Sequence, residues 1–215
     1  MKQIAKEFIK KSPILLAGAR IARTLIYQIG AKKRWKKLEN SSFVKIELGS
    51  GAKKGKDGWT TVDQFGADIN WDLRRGIPLP NESVDKIYSS HLLEHIPYQQ
   101  LIPFLRECRR VMKSDAEFSV CVPNFRLYVD AYKNKTLFRN RDTWWQPGIV
   151  DTGSSIDQLN YLAYMLDEHK YMFDEENLIN TLTQAGFSNA QLREFDGELD
   201  LLERDFESIY AFAEK

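Results

Sequence analysis

A β-rich run leads directly into a glycine turn within residues 44–52, which read Val-Lys-Ile-Glu-Leu-Gly-Ser-Gly-Ala. Ligands of the nucleotide type bind at the carboxyl ends of parallel strands. Glycines in such a turn let the backbone approach a ligand without interference from a Cβ atom. A Gly-X-Gly turn is a weak signal by itself, because many copies are ordinary turns. Its position after a strand predicts a ligand site formed by Glu47, Gly49, Ser50 and Gly51.

Strand-like and helical segments alternate along most of the chain. The sequence predicts strands at 43–46, 59–62, 69–73, 84–89, 118–122, 190–195 and 208–212. It predicts helices at 103–113 and 175–185, the second closed by Gly186 as its C-cap. Such alternation indicates a Rossmann-like, doubly wound α/β fold, in which helices cover both faces of a parallel sheet.

Acidic residues end the second and third predicted strands. Asp63 lies 12 residues after Gly51, where a carboxylate can accept hydrogen bonds from both hydroxyls of a ribose. Asp72 and Leu73 end the third strand, where an acid can bind an adenine amino group while the apolar neighbour packs on the ring. Hydrogen bonds to a charged group contribute about 1.5–3 kcal/mol each. The run Ser-Ser-His-Leu-Leu-Glu-His at 89–95 follows the fourth strand.

The order of these motifs resembles the class I S-adenosylmethionine-dependent methyltransferases. Within them it is similar to small bacterial members that carry a glycine turn, then Gly-Trp-X-X-Val-Asp, then Leu-Glu-His. The matching segments are ELGSGAKKGKDGWTTVD, ADINWDLRRGIPLPNESVDKIYSSHLLEHI and RRVMKSDAEFSVCVPNF, within residues 44–124, with a weaker echo at 169–187. The resemblance implies S-adenosylmethionine as cofactor. It also implies a mostly parallel seven-stranded sheet with an antiparallel last strand, and a helical insert before the final helix and strands.

The resemblance assigns a role to each matching residue. Glu47 would orient the glycine turn and approach the methionine amino group, directly or through water, and the backbone at 49–51 would pass beneath the amino-acid part of the cofactor. Asp63 would bind the ribose, and Asp72 with Leu73 the adenine. Three residues at the end of the fourth strand and just beyond it would line the side near the sulfonium: Ser89, Ser90 and His91.

Two lysines after the glycine turn bear on two alternatives to a methyltransferase: a non-catalytic binding subunit and a nicotinamide-dependent oxidoreductase. The family often has a further glycine at the position of Lys53, and its replacement leaves open a non-catalytic binding subunit. A nicotinamide-dependent oxidoreductase would carry Gly-X-Gly-X-X-Gly, so that a helix N-terminus meets the pyrophosphate. The last glycine of that pattern is replaced here by Lys54. Because S-adenosylmethionine has no pyrophosphate, this favours the methyltransferase.

Residues 124–173 interrupt the alternation and are predicted to form a lid on the acceptor side, with helices at 127–132 and 155–166. Aromatic rings stack on sugar faces, and arginines bind phosphate or carboxylate groups. The insert therefore offers a pocket for a sugar or another small polar ring, or else its aromatic residues make a small core of their own. These residues are Tyr128, Tyr132, Trp144, Trp145, Tyr161, Tyr164, Arg126, Arg139 and Arg141.

Positive charge is concentrated at the N-terminus. Residues 1–39 have a net charge of +9, whereas the whole chain carries +1. The sequence predicts a basic amphipathic helical arm at 1–40, ahead of a methyltransferase domain at 41–215. The arm is suited to an anionic membrane surface, to nucleic-acid phosphates, or to packing on its own domain. With two cysteines, no apolar run of about 18 residues and no clear signal peptide, we expect a cytoplasmic protein or one peripheral to the inner membrane surface.

The methyl acceptor is the least constrained part of the prediction. A hydroxyl acceptor usually needs a base with a pKa near the working pH, which suits histidine. We take His91 and His169 as catalytic candidates and His95 of the Leu-Glu-His turn as structural, and we predict no metal site. The acceptor is expected to be a hydroxyl on a small molecule, a glycan or a lipid-linked saccharide, with a nucleic acid as the alternative. The sequence does not determine the oligomeric state.

Overall fold

A computed structural model of the chain describes residues 30–136, 138 and 152–215. Most of the predicted basic arm, residues 1–29, lies outside the described residues. So do four members of the predicted lid: Arg139, Arg141, Trp144 and Trp145.

Seven strands form one sheet in the order β3-β2-β1-β4-β5-β7-β6. They are β1 (Lys45–Leu48), β2 (Trp59–Asp63), β3 (Ile69–Asn70), β4 (Val84–Ser90), β5 (Met112–Pro123), β6 (Ser188–Leu192) and β7 (Ser208–Glu214). The strands β1 to β5 pair in parallel, and β7 runs antiparallel to both β5 and β6. All seven predicted strands are present, and the predicted fold class, including the antiparallel last strand, is confirmed.

The chain runs outward from β1 to β3 and then returns to β4 on the other side of β1. This reversal leaves a crevice at the carboxyl ends of β1 and β4, where ligands of open α/β sheets bind. Ile46 and Leu48 of β1, Ile87 of β4 and Phe118 of β5 are fully buried. The central strands therefore form the rigid floor of that crevice.

Six α-helices accompany the sheet within the residues that the structure describes. They are α1 (30–39), α2 (Tyr98–Val111), α3 (Phe125–Lys133), α4 (Ile156–Tyr164), α5 (Glu175–Ala185) and α6 (Leu202–Asp205). The predicted bounds of α5 are confirmed, and Gly186 ends it at φ 100° by donating its N–H to the carbonyl oxygens of Leu182 and Thr183. The helix α2 begins five residues before its prediction, with Pro103 inside it rather than at its first turn.

The connections β1–β2 (49–58) and β2–β3 (64–68) are fully described and contain no crossover helix. The helix α1 lies against this end of the sheet. Ala31 and Trp35 are buried in the same hydrophobic core as the strands, and the Trp35 ring lies edge-on to Trp71 with 6.2 Å between centroids. Residues 30–39 thus pack on the domain, which is one of the uses considered for the basic arm.

The lysines of α1 point away from that contact. Lys32, Lys33, Lys36 and Lys37 are exposed, while Trp35 is 2% exposed. The helix therefore has an apolar face against the domain and a cationic face toward solvent. Within the described ranges, no helix combines the length and apolarity required to cross a bilayer.

Candidate active site

A cleft of about 710 Å³ opens where four parallel strands end. Such a volume lies within the range of small-molecule sites. Gly49 follows β1, Asp63 ends β2, Asp72 and Leu73 follow β3, and His95 follows β4. The fold thus brings four of the predicted cofactor-binding residues to one cavity, although they are spread over 25 positions of the sequence.

The glycine turn is held in place by Asp63. One carboxylate oxygen of Asp63 accepts a hydrogen bond from the backbone N–H of Gly51 at 2.9 Å, and the other accepts one from Gln64 at 2.5 Å. Gly49 has φ +73°, and a Cβ atom at this position would lie 2.7 Å from the Leu92 side chain. Both the backbone angle and the contact therefore require glycine at this position.

Glu47 is already paired with a lysine. The Nζ atom of Lys53 lies 3.0 Å from Oε1 of Glu47, whose side chain is 8% exposed. Lys53 occupies the position at which the resemblance predicts glycine. The carboxylate that was expected to face a cofactor amino group therefore has an ammonium partner in this structure.

Asp72 begins the 3-10 turn Leu73–Arg75 and accepts a hydrogen bond from the Arg74 backbone N–H. The Arg74 guanidinium lies 2.8 Å from the other carboxylate oxygen. Hydrogen bonding by Arg74 is the main reason that the pKa of Asp72 lies below its usual value, although partial burial opposes this shift. Asp72 therefore stays anionic in the wall of the cleft, next to Leu73.

The other predicted cofactor residues lie near the same strand ends but outside the cleft wall. They are Glu47, Ser50, Gly51, Ser89 and Ser90. Ser89 pairs with Leu48 across β4 and β1 and is fully buried, and its hydroxyl has no hydrogen-bond partner within the described parts of the chain. Ser90 ends β4 and is half-buried.

A second cavity of about 230 Å³ adjoins the cleft. His95 lies in the wall of both cavities, so the two meet at this imidazole. Both predicted catalytic residues, His91 and His169, line the smaller cavity, together with the buried carboxylate of Glu94. Sequence reasoning gave His95 a structural role. His95 lies four residues after His91, on the turn that follows β4. This short spacing could have indicated that the two histidines share one site.

His91 is held in a neutral state. It adopts a left-handed backbone conformation with φ 49°, and its Nε2 lies 3.0 Å from the Ser208 hydroxyl. Burial, followed by the nearby Arg204 charge, lowers the pKa of His91 to about 3. A group with this pKa is a weak base at neutral pH, which does not fit the general-base role expected from the sequence.

The pKa values of His169, Glu94 and His95 in the small cavity are also shifted toward the neutral forms of these side chains. Burial lowers the pKa of His169 to about 4 and raises the pKa of Glu94 to about 8. Burial also lowers the pKa of His95. The cavity therefore disfavours isolated charges on these side chains.

Residues 49–120 match a family model described as a methyltransferase domain. Over this third of the chain, the protein matches the methyltransferase domain family and is similar to the class I S-adenosylmethionine-dependent methyltransferases. The family match covers the glycine turn, Asp63, Asp72 and the Leu-Glu-His turn, which are the residues that carried the resemblance. S-adenosylmethionine is accordingly its cofactor.

The chain is similar in fold to solved structures of low sequence identity. A SAM-dependent methyltransferase from Archaeoglobus fulgidus has a TM-score of 0.50 and 16% identity, covering 100% of this chain and 99% of that chain. One from Mesorhizobium loti has a TM-score of 0.48 and 15% identity, covering 82% and 93%. One from Aquifex aeolicus has a TM-score of 0.46 and 14% identity, covering 85% and 88%. No curated protein matches the sequence.

The insert of the methyltransferase contributes two tyrosines to the small cavity. Tyr128 and Tyr161 are buried in its wall. Tyr132 and Tyr164 are exposed, and the Arg126 guanidinium pairs with carboxylates of Glu175 and Asp174 rather than entering the cavity. The four tyrosines predicted for the acceptor pocket therefore divide into a cavity-lining pair and a solvent-facing pair.

Replacing Lys53 by alanine should lower the dissociation constant of S-adenosylmethionine about twofold to fivefold, the effect of one partly exposed ion pair. The cofactor amino group would no longer compete with the Lys53 ammonium for Glu47. Isothermal titration calorimetry measures this change. Lys54→Ala is the matched control, because the Lys54 ammonium binds the Ala67 carbonyl and not Glu47. Weaker binding by Lys53→Ala would instead show that Lys53 holds the cofactor carboxylate.

Proposed function

We propose that the larger cleft binds the adenosyl group and that the methyl group passes into the smaller cavity, to a hydroxyl of a saccharide or another small polar ring. The position of His95 in the wall of both cavities carries this proposal. A methyl donor in one cavity and an acceptor in the other would face each other at that point. Alignment of the two groups supplies much of the rate increase when the donor is a reactive sulfonium.

The carboxylates of the cleft suit the two polar ends of an adenosyl group. Asp63 would accept hydrogen bonds from the ribose hydroxyls, and Asp72 one from the adenine amino group, while Leu73 packs on the ring. Glu47 would approach the methionine amino group. Charged acceptors of this kind bind hydroxyl and amino donors more strongly than neutral ones.

The smaller cavity suits a single polar ring. At about 230 Å³ it lies below the usual volume of a drug-sized site, so it admits one ring or the end of a longer chain. Tyr128 and Tyr161 supply aromatic surface, while Arg204 and Glu207 supply charged groups. Aromatic faces with charged hydrogen-bonding groups favour a sugar-like acceptor over an apolar one.

Among the possible acceptors, a lipid-linked saccharide would also explain the basic residues at 1–40. The exposed lysines of α1 add positive charge to the outer surface of the domain, and such a surface is attracted to anionic headgroups. We propose the domain organisation on the same basis. Residues 1–40 would approach the membrane, residues 41–215 would form the methyltransferase, and residues 124–173 would cover the acceptor.

The acceptor class is tested by transfer of a radiolabelled methyl group from S-adenosylmethionine. The full chain is incubated with three acceptor sets: soluble saccharides, lipid-linked saccharides in anionic vesicles, and RNA or DNA. We expect label in a saccharide hydroxyl, with greater transfer on vesicles. Label confined to nucleic acid would overturn the proposal, as would the absence of label from both saccharide sets.

Replacing Tyr161 by leucine should raise the KM for the saccharide acceptor about twofold to tenfold, because an aromatic stacking face would be lost. The dissociation constant of S-adenosylmethionine should not change, since Tyr161 lies outside the larger cleft. Tyr164→Leu on the same helix is the control, because Tyr164 is 65% exposed. Equal effects of the two substitutions would argue against an acceptor in this cavity.

A further inference from the structure

Two segments of the chain hold a carboxylate and two imidazoles together in the smaller cavity. One ligand atom each from Glu94, His95 and His169 lies within 4.8 Å of the others. The carbonyl oxygen of Glu94 accepts backbone hydrogen bonds from Lys170 at 2.7 Å and Tyr171 at 3.1 Å. These main-chain hydrogen bonds fix the two segments to each other. The backbone therefore holds the three side chains close together.

The backbone also fixes which nitrogen of each imidazole carries the hydrogen. Nδ1 of His169 lies 2.6 Å from the Leu162 carbonyl, and Nδ1 of His95 lies 3.1 Å from the Glu168 carbonyl. A carbonyl oxygen only accepts hydrogen bonds, so both Nδ1 atoms must be donors. In each neutral ring, Nε2 then carries a lone pair. The Nε2 atom of His95 lies 3.8 Å from the Glu94 carboxylate.

His91 adds a third nitrogen lone pair. The Ser208 hydroxyl donates its single hydrogen to the Arg204 carbonyl at 2.7 Å, so it accepts from Nε2 of His91. The Nδ1 atom of His91 is then unprotonated, and it lies 3.6 Å from the Glu94 carboxylate. Neither carboxylate oxygen of Glu94 has a hydrogen-bond partner among the residues the structure describes.

The nitrogen atoms of His91 and His95 that lie near the Glu94 carboxylate are thus acceptors. Neither of them can donate a hydrogen bond to it. A proton on one Glu94 oxygen could be shared with one neighbouring nitrogen only, and it would leave the second buried oxygen without a donor, which is unfavourable. A divalent cation would satisfy the carboxylate and two imidazoles at once. Two histidines and one glutamate form a zinc ligand set, and metal-binding histidines usually donate their other N–H to a carbonyl or carboxylate.

We propose that Glu94, His95 and His169 bind one first-row divalent cation, for which Zn²⁺ is the probe. Ligand atoms that share a tetrahedral zinc ion lie about 3.3 Å apart, given bonds of about 2.0–2.1 Å. The observed spread of up to 4.8 Å would have to close to this value on binding. An unoccupied coordination position would face the cavity and hold a ligand oxygen.

The charges around the cluster are compatible with a cation. Arg204 lines the same cavity, and its positive charge opposes metal binding. Glu94 would be a carboxylate once bound to a cation, and Glu207 lines the same cavity. The Tyr128 hydroxyl donates to Glu207 at 2.6 Å, which keeps that carboxylate in the cavity wall.

A cation at this site would activate the acceptor hydroxyl. This role of the cation rests on the proposed function. The acceptor hydroxyl would bind the metal through oxygen, which lowers its pKa, and its proton would pass to water. The oxygen electron pair would form the new O–CH₃ bond as the S–CH₃ bond breaks. The products are a methyl ether, S-adenosylhomocysteine and one released proton. The cation is not consumed.

The site is tested on the full chain after chelator treatment and dialysis. Calorimetric titration with Zn²⁺ should show one site, and Co²⁺ should give the visible absorption of a tetrahedral nitrogen and oxygen environment. Loss of an outer partner of a metal ligand weakens binding about tenfold to a hundredfold, so Glu94→Gln should weaken it at least that much. Glu168→Gln is the control, because its exposed side chain lies beside His169 but outside the cluster.

Absence of saturable Zn²⁺ binding together with absence of the cobalt spectrum would overturn the proposal, and so would unchanged affinity in folded Glu94→Gln. If Glu94→Gln does not fold, His95→Gln serves instead, because the His95 side chain is 35% exposed. Calorimetry with S-adenosylmethionine on the metal-free protein separates the two proposals. Cofactor binding and saccharide methylation without metal would overturn the activating role of the cation alone, whereas Zn²⁺ binding without saccharide methylation would overturn the acceptor proposal alone.

Discussion

Replacing Asp63 by alanine should weaken S-adenosylmethionine binding by roughly tenfold to a hundredfold, equivalent to about 1.5–3 kcal/mol. Asp63 lies in the cleft wall, where it would bind the ribose hydroxyls. The same carboxylate holds the glycine turn through Gly51 and the next residue through Gln64. The substitution therefore removes a direct contact and loosens the backbone under the cofactor. Calorimetry with S-adenosylmethionine and with S-adenosylhomocysteine measures the loss.

The variant Asp68→Ala distinguishes the two effects of Asp63→Ala, which are the loss of the ribose contact and the loosening of the backbone. Asp68 lies five residues further on, and its carboxylate accepts hydrogen bonds from Gly55 and Thr61. It stabilises the neighbouring loop but does not line the cleft. We expect Asp68→Ala to lower thermal stability with little change in cofactor affinity. If both variants lost affinity equally, loop order rather than a ribose contact would determine binding.

Local sequence signals were sufficient for the sheet. β-rich runs bounded by turn residues identify each strand, and the acid-then-glycine pattern after β1 identifies the edge at which ligands bind. The positions of Asp63 and Asp72 follow from the ends of β2 and β3, because parallel strands present their carboxyl ends together. The cofactor cleft is thus the part of the site that strand order alone can locate.

Contacts between distant segments were not predictable in the same way. Glu94 and His169 are 75 positions apart in the sequence, and they meet through backbone hydrogen bonds to the Glu94 carbonyl. The pairing of Lys53 with Glu47 depends on how the turn folds back. An amphipathic pattern such as that around Trp35 shows that one face is apolar, but it does not show which surface covers that face.

The absent crossover helices have a local reason. The connection between β1 and β2 reads Gly-Ser-Gly-Ala-Lys-Lys-Gly-Lys-Asp-Gly, and its four glycines and four charged residues form neither a helix nor an apolar stripe. The side chain of Asp68 organises this segment instead, by accepting the N–H of Gly55. The methyltransferase motifs are retained within the segment that the family model matches. The helix α1, which lies outside that segment, packs on this end of the sheet.

Asp200 lies at the centre of a buried polar network that joins distant parts of the sheet. Its side chain is fully buried and pairs with the Arg193 guanidinium at 2.6 Å and 2.8 Å. It also accepts hydrogen bonds from the Tyr88 hydroxyl of β4 at 2.9 Å and from the Asp196 backbone at 2.8 Å. Burial is the main reason that the pKa of Tyr88 is raised, so this hydroxyl remains a donor across the physiological range.

Replacing Asp200 by alanine should lower the free energy of unfolding by about 3–5 kcal/mol, because it leaves the largely buried Arg193 charge without its partner. The Tyr88 hydroxyl would also lose its acceptor. Chemical denaturation at neutral pH, followed by circular dichroism, measures the change.

Two comparisons determine whether the loss comes from an unpaired buried charge. Arg193→Met combined with Asp200→Leu should be more stable than Asp200→Ala, since a buried pair can be replaced by apolar groups with little loss. Glu39→Ala removes one partner of the exposed pair with Lys36 and should change stability by about 0–1 kcal/mol. An Asp200→Ala loss as small as that of Glu39→Ala would mean that water reaches Arg193. The network would then contribute little to holding β4 against the residues that follow β6.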